Sequence, residues 1–136
     1  MRCLELFCGT HSIGRAFERL GWEVVSLDID PKCNPTHCHD IMSWNHEIYP
    51  RSYFSFVWAS PVCQHYSIAR TTGGPRDLIS ADGLVRRTLD VVDYFGGCNW
   101  AIENPQSGLL KTRTHLVGGL PFFDTSYCRY GYGYRN

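Results

Sequence analysis

The chain has 136 residues, 43% apolar and 14% aromatic, which is enough to bury the core of one compact domain but not of two. Its formal net charge is zero, so it lacks the basic excess expected of a protein that binds nucleic acid through charge alone. No apolar stretch approaches the roughly 18 residues of a membrane span, and we expect no membrane contact and a cytoplasmic location, or the host cytoplasm or nucleus if the source is viral.

The first 28 residues predict a strand, a helix and a second strand. Residues 3–7 are a short apolar run typical of a buried strand. One face of the following helix is formed by four apolar residues at helical spacing: Ile13, Ala16, Phe17 and Leu20. Gly21 stands where helices commonly end in a left-handed residue, and residues 23–28 predict the second strand.

The turn after the first strand and the end of the second strand have the composition of a nucleoside pocket. Gly9 lies in the turn, and Asp28 follows 19 residues later, close to the roughly 20 typical of nucleotide-binding βαβ units. N–H groups at the helix terminus can meet the polar end of a ligand, and the carboxylate can accept hydrogen bonds from ribose hydroxyls. His11 stands where the dinucleotide fingerprint has its second glycine, so the turn is not that of an NAD-binding protein.

Residues 33–39 contain two cysteines and two histidines, which are common zinc ligands. Their spacing matches no standard zinc finger, and the adjacent His37 and Cys38 cannot easily both point at one ion in an extended strand. We therefore predict no metal site. The seven cysteines of the chain follow no framework spacing, and most are expected to be buried thiols.

Residues 54–58 predict a buried strand that turns polar immediately afterwards. Cys63 therefore lies just past the carboxyl end of a strand, at the edge of an open α/β sheet where ligands bind. Residues 64–80 lack periodic apolar residues and contain Gly and Pro, so they predict a functional or solvated loop.

The next pair of elements delivers a carboxylate. Ser80 is the predicted N-cap of a helix that continues to Tyr94. Its apolar face contains Leu84, Thr88, Val91, Val92 and Phe95. Residues 99–102 then predict a strand that ends at Glu103. The order of elements predicts an α/β fold.

Three segments carry a resemblance to a known family. They are residues 4–10 (LELFCGT), 58–67 (WASPVCQHYS) and 101–105 (AIENP). In this order they closely resemble the motifs of the cytosine-5 DNA methyltransferases, and they span nearly the whole chain. The resemblance implies a Rossmann-like, S-adenosylmethionine-dependent methyltransferase fold with a mostly parallel sheet and helices on both faces. It also implies a single catalytic domain over residues 1–136.

The resemblance implies S-adenosylmethionine as the cofactor. Asp28 would bind its ribose, Ile29 would pack on the adenine face, and residues 40–41 would contact the adenine edge. The implied cofactor-binding residues are Phe7, Cys8, Gly9, Thr10, Asp28, Ile29, Asp40, Ile41 and Pro61. This chain departs from the family by having His11 and Ser12 in place of two glycines. S-adenosylmethionine has no pyrophosphate, so the backbone need not approach it as closely.

The implied reaction is methylation of cytosine C5 in DNA. This carbon is not nucleophilic until a thiolate adds to C6, and Cys63 is the implied nucleophile. Glu103 would hold or protonate N3, and Asn104 would fix the loop of Glu103. Val62 stands where the family usually has a proline before the cysteine.

Because a base inside a duplex cannot reach such a pocket, the target cytosine would be flipped out of the helix. In the family the loop after the nucleophile closes over this base. The implied DNA contacts in that loop are Gln64, Ser67, Arg70 and Arg76. Cytosine-containing DNA is therefore the expected partner.

Family members continue past the third segment into a recognition region and closing motifs, whereas this chain stops at Asn136. We expect a core truncated at its C-terminal end, with weak activity alone: a short natural protein, a fragment, or one chain of a split enzyme whose second chain recognises the target. The rival from another class is a non-catalytic remnant that binds cofactor or DNA.

The zinc cytidine deaminases are a second enzyme alternative, because they also act on a flipped base. They need a second cysteine three residues after the first, and this chain has Tyr66 at that position after Cys63. We therefore set this class aside.

Overall fold

The computed structural model describes residues 1–67 and 74–126. Within them, the strands are β1 (Arg2–Leu6), β2 (Glu23–Asp28), β3 (His37–Cys38), β4 (Phe56–Ala59) and β5 (Asn99–Ile102). The α-helices are α1 (Ser12–Arg19), α2 (Leu78–Tyr94) and α3 (Thr114–Val117). Over the same residues, no helix is both long and apolar enough to cross a membrane.

The five strands form one parallel sheet in the order β3-β2-β1-β4-β5. The chain starts in the middle of the sheet, moves outward through β2 and β3, and then returns to build β4 and β5 on the other side of β1. This arrangement confirms the predicted α/β class with a parallel sheet. A sheet of this kind has a switch point at its carboxyl edge, where neighbouring connections leave in opposite directions.

Alternating side chains of β1 show that α1 and α2 cover opposite faces. Leu4 and Leu6 belong to the main core together with Val91 and Phe95 of α2. Glu5 points to the other face, where Gly14 of α1 lies so close that a Cβ there would come within 2.5 Å of the Glu5 carboxylate. The connection from β1 to β2 and the connection from β4 to β5 run in opposite directions along the sheet. Because such crossovers are right-handed, their helices α1 and α2 must lie on opposite faces.

The structure corrects three local predictions. In α1, Ala16 and Leu20 are exposed; the helix is only eight residues long, and Leu20 lies past its last turn. The strand predicted at residues 54–58 begins at Phe56 and ends at Ala59. The predicted N-cap Ser80 lies inside α2, because Asp77 caps the helix by accepting a hydrogen bond from the Ser80 N–H at 2.9 Å.

A second, smaller core lies beside the N-terminal half of α2 and contains a buried charge. Asp82 accepts hydrogen bonds from the Tyr66 hydroxyl at 2.8 Å, from two nitrogens of the Arg113 guanidinium and from the His115 ring at 3.1 Å. The Arg113 guanidinium is the main cause that lowers the pKa of the Asp82 carboxyl. Asp82 thereby joins α2 to the chain segments that follow β4 and β5.

The main core should depend on Leu4, which is fully buried in the middle of the sheet. We expect Leu4→Ala to lower the free energy of unfolding by about 2–5 kcal/mol, since it leaves a cavity that the surrounding strands cannot fill. Leu20→Ala makes the same chemical change at a side chain that is 74% exposed, and it should have little effect. Urea unfolding of the two variants measures the difference, and equal losses would contradict this assignment of the core.

Asp82 should make stability depend on pH in the acidic range. Because its folded pKa is lowered, its contribution is present above the unfolded pKa of about 4 and is lost as the pH falls through the folded value. Asp82→Asn should therefore be less stable than wild type at pH 7 and lose less stability on acidification. Asp93→Asn, on the exposed side of the same helix, is the control, and parallel pH profiles for wild type and Asp82→Asn would refute this role.

Candidate functional site at the carboxyl edge of the sheet

The register of the sheet brings the ends of four strands into one row. Leu6 pairs with both Leu27 and Ala59, and Ala59 pairs with Ile102. The residues that follow these positions are Phe7, Asp28, Ser60 and Glu103. All four were singled out from the sequence or directly adjoin such residues, so the sheet collects the predicted segments at a single edge.

Backbone hydrogen bonds continue past the strands and hold this edge together. The N–H of Cys8 donates to the carbonyl of Leu27 at 3.2 Å, and the N–H of Glu103 donates to the carbonyl of Ala59 at 2.8 Å. The N–H of Ser60 donates to the carbonyl of Leu6 at 3.3 Å. The first or second residue of each of these loops is therefore fixed by the neighbouring strand.

The turn after β1 is unusually bent. Phe7, Gly9 and His11 all have positive φ angles, of 59°, 46° and 57°. A left-handed conformation is easy for glycine but costly for the other two residues. This explains the glycine that the resemblance leads one to expect at position 11, because that position needs a left-handed backbone.

Two contacts of the His11 side chain stabilise this strained backbone. Its Nε2 lies 2.6 Å from the carbonyl of Cys33, and since a carbonyl only accepts, Nε2 is the donor. Its Nδ1 lies 3.7 Å from the Glu5 carboxyl, which is 2% exposed. Burial raises the pKa of Glu5. His11 thus ties the bent turn both to β1 and to the loop after β2.

Asp28 braces the same turn from the end of β2. One carboxylate oxygen accepts the Gly9 N–H at 2.9 Å, and the other accepts the Asp30 N–H at 2.9 Å. A carboxylate can accept roughly four hydrogen bonds, so both oxygens keep capacity for a ligand. Asp28 is half-buried and lies on the wall of a cavity.

This cavity has a volume of about 520 Å³, within the range of small-molecule sites. Five of the nine predicted cofactor-binding residues line it: Phe7, Asp28, Ile29, Asp40 and Ile41. The rest of the wall consists of residues that sequence reasoning missed: Leu27, His39, Met42, Val62, Ile79, Ser80, Gly83 and Leu84. Cys8, Gly9, Thr10 and Pro61 do not line the cavity, and their role in binding stays a prediction.

Arg87 of α2 holds one wall of the cavity in place. Its guanidinium donates to the carbonyls of Ile41 at 3.0 Å and Trp44 at 2.8 Å, and it also lies 3.2 Å from His46 Nδ1. These contacts fix the segment that contains residues 40–42. No sequence pattern indicates them, because Arg87 is more than 40 positions away from its partners.

The segments that contain Cys63 and Glu103 are joined directly. The side-chain N–H of Asn104 donates to the carbonyl of Pro61 at 3.4 Å. The other amide atom, Asn104 Oδ1, is buried without a hydrogen-bond partner among the described residues. Cys63 is partly exposed in the turn after β4, and Glu103 is exposed at the end of β5.

The residues predicted to contact DNA differ in their exposure to solvent. Gln64 is exposed, whereas Ser67 is partly buried. Arg76 is exposed, but one of its guanidinium nitrogens donates to the carbonyls of His65 at 2.9 Å and Ser67 at 2.7 Å. It therefore closes the base of the loop after Cys63. Arg70 lies outside the described residues.

Residues 33–39, which contain cysteines and histidines but were predicted to hold no metal, make structural contacts in the described part of the chain. His37 packs against Trp44 and contacts the Tyr49 hydroxyl at 2.7 Å, while the Cys38 thiol faces the carbonyl of Ile29. Across residues 1–67 and 74–126, no cluster of three or more His, Cys, Asp or Glu residues could hold a metal ion.

Comparison with known proteins identifies the family. No protein-family model matches the chain. A probable DNA (cytosine-5)-methyltransferase of Frog virus 3 (isolate Goorha) is 31% identical over 150 aligned residues, which cover 99% of this chain and 67% of the viral protein. The similarity thus extends over both the cavity and the edge that contains Cys63 and Glu103. The chain belongs to the DNA (cytosine-5)-methyltransferase family.

Proposed function

We propose that this chain transfers a methyl group from S-adenosylmethionine to C5 of cytosine in DNA through a covalent adduct with Cys63. One observation carries the proposal: the cavity that contains Phe7 and Asp28 is also lined by Val62, the residue next to Cys63. Cofactor pocket and nucleophile are therefore neighbours. Asn104, the residue after Glu103, donates a hydrogen bond to the Pro61 carbonyl, so the segment that contains the proposed acid lies beside the segment that contains Cys63.

The cavity suits an adenosyl group. Phe7, Ile29 and Ile41 provide apolar surface for a flat base, and Asp28 and Asp40 provide carboxylates for hydroxyl and amino donors. The sulfonium of the ligand is cationic, which favours a wall with carboxylates; among the residues that the structure describes, this wall contains Asp28 and Asp40 and neither Lys nor Arg. When bound, S-adenosylmethionine supplies an electrophilic methyl group for the reaction.

Cys63 is the best nucleophile among the described cysteines. Burial raises the pKa of Cys3 to about 12 and that of Cys8 to about 11, so these thiols stay protonated at neutral pH. Burial also raises the pKa of Cys98. Burial likewise raises the pKa of Cys33, and the exposed Cys38 lies on β3, at the opposite edge of the sheet from β5 and Glu103. Only the thiolate attacks carbon, so the partly exposed Cys63 in its polar turn is favoured over these thiols.

The residues of the chain then divide the work. The Cys63 thiolate adds to C6 of the flipped cytosine, and Glu103 holds N3 as negative charge moves into the ring. This makes C5 nucleophilic, so that it can accept the methyl group. Removal of the C5 proton by a base re-forms the ring double bond and releases Cys63. Gln64, Ser67 and Arg76 lie in the segment that follows the nucleophile, where contacts to the DNA strand are expected.

Cofactor binding should depend on Asp28. We expect the unmutated chain to bind S-adenosylmethionine and Asp28→Ala to weaken binding by about 1–3 kcal/mol, because the ribose hydroxyls lose a charged acceptor. Asp30→Ala removes a nearby carboxylate that caps a 3-10 turn outside the cavity, so it is the matched control. Isothermal calorimetry measures all three proteins. Undetectable binding by the unmutated chain at millimolar cofactor would refute the pocket.

Covalent trapping should depend on Cys63. With S-adenosylmethionine and DNA that contains 5-fluorocytosine, the unmutated chain should form an adduct that survives denaturing gels, since fluorine at C5 blocks release of the enzyme. Cys63→Ser should form none, Glu103→Gln should form it more slowly, and Cys98→Ser should behave like wild type. Single-stranded DNA serves as substrate beside duplex, because it needs no base flipping. Mass spectrometry that maps the adduct to Cys8 or Cys98 would overturn the assignment.

A further inference from the structure

The turn that contains Cys63 is closed by its own backbone. The carbonyl of Cys63 accepts hydrogen bonds from the N–H groups of Tyr66, at 2.9 Å, and Ser67, at 2.8 Å. These two bonds fix the backbone of Cys63 relative to that of Tyr66, so the place from which the Cys63 side chain starts depends on what holds Tyr66.

Tyr66 is held more firmly than a loop residue usually is. It is fully buried, and it forms the smaller core with Ala81 and Val85 of α2. Its hydroxyl donates to Asp82 Oδ1 at 2.8 Å, and its carbonyl accepts the Leu109 N–H at 2.9 Å. Hydrogen bonds thus hold both the side chain and the backbone of Tyr66 in place.

The same contacts reach the segment that follows Glu103. Arg113 and His115, which bind Asp82 from its other side, lie after β5 in the chain. The segment also contacts Tyr66 directly, because the Leu109 N–H donates to the Tyr66 carbonyl at 2.9 Å. The preceding Gly108 lies in a tight turn, where a Cβ would come within 2.9 Å of the Pro105 carbonyl. The network therefore connects the loop of the nucleophile with the loop of the acid.

We propose that Tyr66 and Asp82 are positioning residues that set the Cys63 thiol relative to Glu103 for attack on the base. The proposal rests on the function proposed above. Neither residue lines the cofactor cavity, so they should affect the covalent step and not cofactor affinity. Misplacement of a reacting group by about 1 Å can cost on the order of a hundredfold in rate. A small shift of the Cys63 thiol on loss of these contacts would therefore slow the reaction.

Tyr66→Phe is the sharpest test because it deletes one hydroxyl and keeps the buried ring. Asp82 Oδ1 still accepts from Arg113 at 3.0 Å in that variant, so no buried acceptor is left alone. Tyr94→Phe is the matched control: it deletes a tyrosine hydroxyl at the C-terminal end of α2, where that hydroxyl donates to the Tyr49 carbonyl at 3.1 Å, away from Cys63.

The first readout is the rate of adduct formation on single-stranded 5-fluorocytosine DNA, measured beside the dissociation constant for S-adenosylmethionine. Tyr66→Phe should lower the rate about tenfold to a hundredfold while cofactor binding stays at the wild-type value, and Tyr94→Phe should change neither. A Tyr66→Phe variant that traps DNA as fast as wild type would overturn the proposal. So would one that loses only thermal stability.

The second readout needs no DNA. The rate at which iodoacetamide alkylates Cys63, followed by peptide mass spectrometry with the exposed Cys38 as internal reference, should change severalfold in Tyr66→Phe and stay constant in Tyr94→Phe. Equal rates at Cys63 in all three proteins would refute the positioning role. If wild type forms no DNA adduct, the proposed methyl transfer fails, and this comparison still decides whether Tyr66 positions the thiol.

Discussion

The parallel register of β1 with β2 and β4 is the constraint on which the candidate site depends. Parallel strands all end at the same edge, and here the last residues of β1, β4 and β5, which are Leu6, Ala59 and Ile102, lie level with Leu27, the last residue but one of β2. Segments that are as many as 96 positions apart in the chain, from Leu6 to Ile102, are thereby placed at one edge. A shift of one residue would turn every side chain to the other face and separate the cavity from the nucleophile.

The two halves of the site are stabilised in different ways. On the side of the cavity, a backbone with positive φ at Phe7 and His11 is held by polar contacts of His11 and Asp28. On the side of Cys63, the turn is anchored by the buried Tyr66 hydroxyl and the buried Asp82 carboxylate. α2 serves both halves, because Gly83 and Leu84 line the cavity while Asp82 faces the smaller core.

Local sequence patterns predicted most of the strands of the sheet, but they do not contain the tertiary contacts around the candidate site. The bounds of β2 and β5 are those predicted, since in each case a glycine precedes the strand and an acidic residue follows its apolar residues. The start of α2 was wrong because two capping residues lie three positions apart, and only the structure shows that Asp77 accepts and Ser80 donates. The cavity wall formed by α2 and the bond from Asp82 to Arg113 depend on tertiary packing, which no local pattern contains.

The central claim is that this edge of the sheet methylates C5 of cytosine. In the most direct measurement, the chain is incubated with single-stranded or duplex DNA and with S-adenosylmethionine that carries a trideuterated methyl group. The DNA is then digested to nucleosides, and mass spectrometry locates the label. The structure and the proposed role of Cys63 predict the label on C5 of deoxycytidine, at a higher level with single strands, where no base must be flipped. Label on an exocyclic nitrogen, or unlabelled DNA from a chain that binds the cofactor, would contradict the proposed reaction.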